Sequence, residues 1–168
     1  MDGGKRMGFS LSSPTPFYVW LAFDGFRLLL SQPEVRVLEP VLDVEAVDTP
    51  ERGVGWLPFA GRRWPVYCLT RVLRPVPELP AERRVCAVLV NGEGYWGLAC
   101  EEVGIVESKA VILYPMPKCM QQPQAPAMAL AVLEGQIVMV SSVPRLTGYL
   151  EIGSPSHPAR VQALEEVT

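Results

Sequence analysis

Apolar and polar positions along this chain alternate in short runs rather than at helical spacing. The first run, "FYVWLAFDGFRLLL", is two apolar segments around Asp24-Gly25. An Asp-Gly pair between such segments predicts a β-hairpin, because both central residues of a type I′ turn need positive φ. In "PEVRVLEP" the strand period places Val35, Val37 and Glu39 on one face and Glu34, Arg36 and Leu38 on the other. Residues 40–54 are acidic and proline-bearing and read as a connecting loop. "GWLPFAGRRWPVYCL" follows, with Ala60-Gly61 punctuating two apolar runs. Pro65 marks the second run as an edge strand, a bulge or a strand start, since proline donates nothing to a ladder.

Residues 74–82, "RPVPELPAE", read as a proline-rich link between two β halves. Beyond it "RVCAVLV" predicts a strand and "NGEG" a turn. "YWGLACEEVGIVE" predicts a strand pair or one strand bent at Gly97, and "KAVILYPMP" a short strand ended by prolines. "LAVLEGQIVMVSSV" predicts a hairpin turning at Glu134-Gly135. The one helix expected is "SHPARVQALEEV", capped by Ser156 or His157 with Pro158 in its first turn. Residues 1–16, rich in Gly, Ser and Pro, are expected to be a flexible leader. About nine or ten short strands separated by turns point to an all-β barrel or sandwich. No strand–helix alternation suggests a nucleotide-binding sheet.

The composition narrows the chemistry. A chain of 168 residues that is 49% hydrophobic and 20% charged can bury a core of its own. A net charge of −3 with mixed signs argues against a nucleic-acid binder, whose basic residues would be concentrated on one face. No apolar run is long enough to span a bilayer, and serines and prolines interrupt any signal-like stretch near the start. A cytoplasmic protein without membrane insertion is expected. Cys68, Cys86, Cys100 and Cys119 form no C-x-x-C pair, so reduced, mostly buried thiols are expected. The single histidine, His157, disfavours zinc.

Catalysis finds little support. Cys68 has Arg62 and Arg63 nearby, but alternation puts it on the face of Trp64 and Val66, where a thiol is inert. Glu101 and Glu102 are adjacent on a strand, so they face opposite sides and share no site. The glycines of "NGEGYWG" lack the Lys-Ser/Thr of a phosphate loop. An alternative is a small β-barrel that binds a ligand or nucleic acid through Arg62, Arg63, Arg71 and Arg74; a solvated face is the plainer account of these arginines.

In order, the segments resemble the CheW-like domain, the adaptor fold of bacterial chemosensory systems. "GWLPFAGRRWPVYCL" is similar to the family signature G-x-x-N-L-R-G-x-x-x-P-V-I-D-L. Gly55, Gly61, Pro65, Val66 and Leu69 match, and Phe59 stands at the leucine. "GLACEEV" resembles G-L-x-V-D-x-V through Gly97, Leu98 and Val103, with Glu101 at the aspartate. "VMVSSVPRL" resembles an apolar strand running into L-D-x-x-x-L, ending at Leu146. The residues lost are mainly polar or charged: Pro58 stands for Asn, Ala60 for Arg, Cys68 for Asp, and Ser141-Ser142 for Leu-Asp.

The resemblance covers residues 17–147, with 148–168 as a tail carrying the short helix. It implies a mainly β fold: two SH3-like five-stranded β-barrels sharing a hydrophobic seam. It implies no catalysis and no cofactor. It implies a scaffold whose partners are a CheA-type histidine kinase and the cytoplasmic tips of chemoreceptors. The lost polar positions fit an accessory adaptor, as in systems for type IV pili and twitching motility. The expected docking patch is Trp56, Phe59 and Ala60 with Val35 and Val37, shaped by Gly55 and Gly61. Trp56 fits core packing equally well.

Overall fold

The computed structural model describes residues 15–153. Residues 1–14 of the expected leader and the helix expected from Ser156 or His157 onward lie outside the described residues. Among the described residues eleven strands form two sheets. In chain order they are β1 Phe17–Phe23, β2 Phe26–Ser31, β3 Val35–Pro40, β4 Gly55–Phe59, β5 Arg62–Tyr67 and β6 Val85–Asn91. β7 Gly94–Cys100, β8 Glu102–Glu107, β9 Ile112–Pro115, β10 Ala129–Leu133 and β11 Gln136–Val140 follow. A helix, α1, spans Val143–Leu150.

The turns form where the sequence places them. Asp24-Gly25, Ala60-Gly61 and Glu134-Gly135 each join two strands with a two-residue loop, and all six residues have positive φ. That is the twist a tight hairpin requires. β6 and β7 are joined through Gly92-Glu93, with Gly92 at φ 62°.

The first sheet has the order β8-β1-β2-β11-β10-β9 and the second β3-β6-β7-β5-β4. Each lobe therefore has its own sheet, but the first is assembled from both ends of the chain and the second from the middle. The link expected at residues 74–82 is corrected by this topology. It joins β5 to β6 inside the second lobe, while the chain crosses between sheets at residues 32–34 and at Glu101. A proline-rich stretch marks a place without strand pairing, and that does not make it a lobe boundary. Of the two alternatives for "YWGLACEEVGIVE", the structure has the strand pair, β7 and β8 parting at Glu101, and not one strand bent at Gly97. Gly97 lies within β7, where an added Cβ would sit 2.5 Å from Cys86 Sγ.

Each lobe has an interior. Tyr18, Leu29, Ala129, Ala131, Val138 and Val140 fill the first; Val54, Leu57, Val66, Cys68, Cys86 and Val88 fill the second. A third core lies between the lobes. Leu21, Phe23, Leu28 and Leu30 of the first sheet meet Leu89, Trp96 and Leu98 of the second, closed by Leu146 and Leu150 of α1. These are the two lobes and the hydrophobic seam of the expected fold. At its centre Trp96 is fully buried, stands edge-on to Tyr67 at 5.7 Å and donates to Thr147 Oγ1 at 3.1 Å.

α1 replaces the strand end expected at Ser141–Val143. Ser142 Oγ accepts from Arg145 N–H at 3.2 Å, Pro144 occupies the first turn, and Glu34 accepts from Val143 N–H at 3.0 Å. These are ordinary helix-start features, but eight residues are too few to show a 3.6-residue period in sequence. Its packing carries the seam core past residue 147, where the tail was expected to begin.

Candidate functional site

The expected docking residues fall on the second lobe. β3 alternates as anticipated: Val35 packs on the seam core and Val37 on the lobe interior, while Arg36 and Leu38 point out. Leu38, 45% exposed, is the outward apolar side chain of that strand and was not among the residues expected. Its place on the polar face of β3 was visible in the alternation.

β3 and β4 lie at opposite ends of the sheet order, so hydrogen bonding between strands does not bring the two groups together. The lobe closes by another route. Glu45, in the 40–54 loop, exchanges backbone hydrogen bonds with Trp56 at 2.7 and 2.9 Å. Gly55 permits this approach, since a Cβ there would lie 2.6 Å from the Glu45 carbonyl oxygen.

Trp56 is half-buried at the surface. Its indole N–H donates to the Asp48 carbonyl at 2.7 Å, and the Arg63 guanidinium lies 5.2 Å from its ring centre. Glu45 in turn holds Arg63 at 3.6 Å. The ring is covered by a loop and an arginine rather than by the interior. Phe59 is half-buried, edge-on to Tyr95 at 5.1 Å and packed on the lobe interior. Ala60 and Gly61 form the exposed hairpin tip. Arg62 lies 4.7 Å over Trp64, so it and Arg63 are engaged with aromatic rings. Arg71 and Arg74 sit on a separate turn after β5. Pro65 stands where β5 has β4 as its one neighbour; pairing with β7 begins at Val66.

The thiols give no catalytic site. Cys68, Cys86 and Cys100 are buried, and burial pushes each thiol up, Cys86 to about 12. At Cys68 burial outweighs the opposing pull of Arg83. A protonated, enclosed thiol is not a nucleophile. Cys119 is exposed. Among the described residues no group of three His, Cys, Asp or Glu side chains could hold a metal ion, and no helix is long and apolar enough to cross a membrane.

Glu101 lies in the break between β7 and β8 rather than on a strand beside Glu102, and it belongs to a junction that sequence reasoning missed. Arg83 is 5% exposed and donates to the carbonyls of Ala99 at 3.1 Å and Leu69 at 2.8 Å. Its Nε lies 3.7 Å from Glu101 Oε2, and its guanidinium stands 5.2 Å over Phe23. Glu101 accepts from Asp24 N–H at 3.0 Å, and Asp24 accepts from Arg71 N–H at 2.9 Å. The first hairpin of one lobe is thus tied to the 69–74 turn of the other. An Arg inside "AERRV" gives no sign of burial, so only the fold reveals it.

A second surface lies on the first lobe. Cross-strand pairing aligns Ile112, Val132 and Ile137 in one row and Tyr114, Leu130 and Met139 in the next. The rows continue the face that forms the seam, beyond the part covered by the second lobe. Ile137 is 74% exposed, Ile112 57% and Tyr114 47%.

No protein-family model matches the sequence, and no curated protein matches it. Among solved structures, the chain is similar to the scaffolding protein TtCheW from Thermoanaerobacter tengcongensis. The TM-score is 0.58 at 16% sequence identity, covering 76% of this chain and 89% of that one. The chain has a divergent CheW-like fold.

Proposed function

We propose that this protein is a non-catalytic adaptor of a bacterial chemosensory system, coupling a CheA-type histidine kinase to the cytoplasmic tips of chemoreceptors. The observation that carries this reading is the two-lobed fold shared with a CheW scaffolding protein. The three sealed thiols are in keeping with it. The docking surface we assign is built on Trp56 and Phe59, with Ala60 and Gly61 at the hairpin tip, Gly55 holding the loop against β4, and Val35 and Val37 seating β3. The loss of polar signature residues at Pro58, Ala60 and Cys68 favours an accessory adaptor, as in systems driving type IV pili and twitching.

The test is co-purification of the tagged protein from its native cell, followed by binding of the purified kinase to wild type and Trp56→Ala. A buried aromatic anchor is worth about 2 kcal/mol, so Trp56→Ala is expected to weaken binding roughly 30-fold. Failure of the wild-type protein to bind any histidine kinase or chemoreceptor overturns the adaptor reading. Unchanged binding by Trp56→Ala overturns the assigned surface.

A further inference from the structure

Among the described residues four hairpins turn on two-residue loops, and three repeat one design, Xaa-Gly with both residues at positive φ. The turn between β6 and β7 reverses the order. Gly92 comes first at φ 62°, and Glu93 lies outside the positive-φ region. Glycine at the first central position is the type II′ arrangement. It places Asn91, which pairs with Gly94 to close the ladder, directly before a glycine. Asn91 is also the one asparagine in the chain.

The surroundings leave this pair open. Gly92 and Glu93 are exposed and Asn91 is half-buried. A Cβ added to Gly92 would meet nothing within 4 Å, so water and base reach its nitrogen. Among the described residues no backbone carbonyl accepts from Gly92 N–H. Opening Asn91 costs the ladder its last pair only, because Val90 and Tyr95 hold the next one. The Asp24-Gly25 pair is held instead. The Asp24 carboxylate accepts from Arg71 N–H at 2.9 Å, and its own N–H donates to Glu101 at 3.0 Å. An ionised carboxylate is in addition a poor electrophile, whereas a side-chain amide can lose ammonia.

We propose that Asn91-Gly92 is a site of spontaneous covalent modification, the asparagine amide being converted to an acid in the folded protein. Hydroxide takes the proton of Gly92 N–H, and that nitrogen attacks Asn91 Cγ. The Cγ–Nδ2 bond breaks, ammonia leaves, and a cyclic imide remains. Water then opens the ring. Opening at Cγ gives aspartate; opening at the main-chain carbonyl gives isoaspartate, with the backbone routed through Cγ. The net change is amide plus water to carboxylate plus ammonia. Either product adds a negative charge two residues from Glu93. Isoaspartate also lengthens the main chain by one atom at the closing pair, next to Tyr95, which stands edge-on to Phe59 at 5.1 Å and to Trp64 at 5.4 Å. The change therefore reaches the aromatic packing of the second lobe. This inference stands apart from the adaptor reading and does not require it.

Peptide mapping by mass spectrometry tests it on the folded full chain, incubated at mildly alkaline pH beside a synthetic peptide of residues 88–95. The protein is expected to convert at Asn91 within about a hundredfold of the peptide's rate, because a hairpin end opens at little cost. Asn91→Gln must close a larger ring and is expected to convert at least about tenfold more slowly than wild type. Slower conversion of the folded protein than that hundredfold limit overturns the proposal. So does acid that forms as fast in Asn91→Gln, or isoaspartate that accumulates at position 24 ahead of position 91.

Discussion

The hairpins that turn at Ala60-Gly61 and at Glu134-Gly135 have the same backbone and opposite surfaces. Both use two-residue loops with positive φ throughout. On the β4–β5 hairpin, guanidinium groups cover the aromatic rings: Arg62 over Trp64 and Arg63 over Trp56. On the β10–β11 hairpin, Ile137 stands bare beside Val132. A stacked arginine keeps its charge in water while its planar face shields apolar surface. An isoleucine has no such option and stays open to another apolar body. Turn chemistry thus fixes a hairpin, whereas the next residue along the strand decides whether its surface is finished or left for a partner.

The comparison holds only while both hairpins ride on one intact seam. Trp96→Ala is the most severe break, because it empties the space at the centre of that seam and orphans Thr147 Oγ1. A loss of about 4 kcal/mol is expected in urea unfolding, with both lobes melting together. Melting of one lobe alone would show that the seam does not couple them.

Arg83→Leu comes next. It strips donors from the Leu69 and Ala99 carbonyls and leaves Glu101 without its cation. Removing a buried charge from its partners costs about 3 kcal/mol, checked by the same unfolding curves. A neutral result would demote the junction to packing alone.

Alkaline pH acts on the second lobe by a smaller amount. Burial pushes Cys86 from 9.0, and Tyr67 from 10.0, each to about 12. Between about pH 9 and 12 the unfolded chain releases protons that the folded chain keeps, so stability falls as pH rises. Below about pH 9 this contribution is complete. Urea midpoints are expected to be level from about pH 7 to 8 and lower at about pH 10. In the folded protein at neutral pH a thiol reagent should label Cys119 and spare the three buried cysteines; rapid labelling of Cys68 would revive the enzyme reading.

The smallest effect sharpens the contrast between the hairpins. Ile137→Lys should change stability by less than about 0.5 kcal/mol, yet lower the binding of an apolar dye to the β9–β11 face. If the dye signal persists, that face is not the apolar surface the rows make it.

The hairpins, the inward faces of β3 and β5, and the inertness of Cys68 were legible in the residues alone. Each rests on a local rule: positive φ at an Xaa-Gly pair, alternation of side chains along a strand, a thiol among apolar neighbours. Segment order also carried the resemblance to the CheW-like fold. The tertiary structure alone decided which strands share a lobe, why 74–82 is not the lobe boundary, and that Arg83 is buried. It also set Ile112, Val132 and Ile137 in one row. These depend on strand neighbours far apart in the chain, such as β2 beside β11 and β5 beside β7. Local propensity does not choose among distant partners. The choice is made when apolar faces from separate segments are buried against one another, and that energy exists only in the assembled fold.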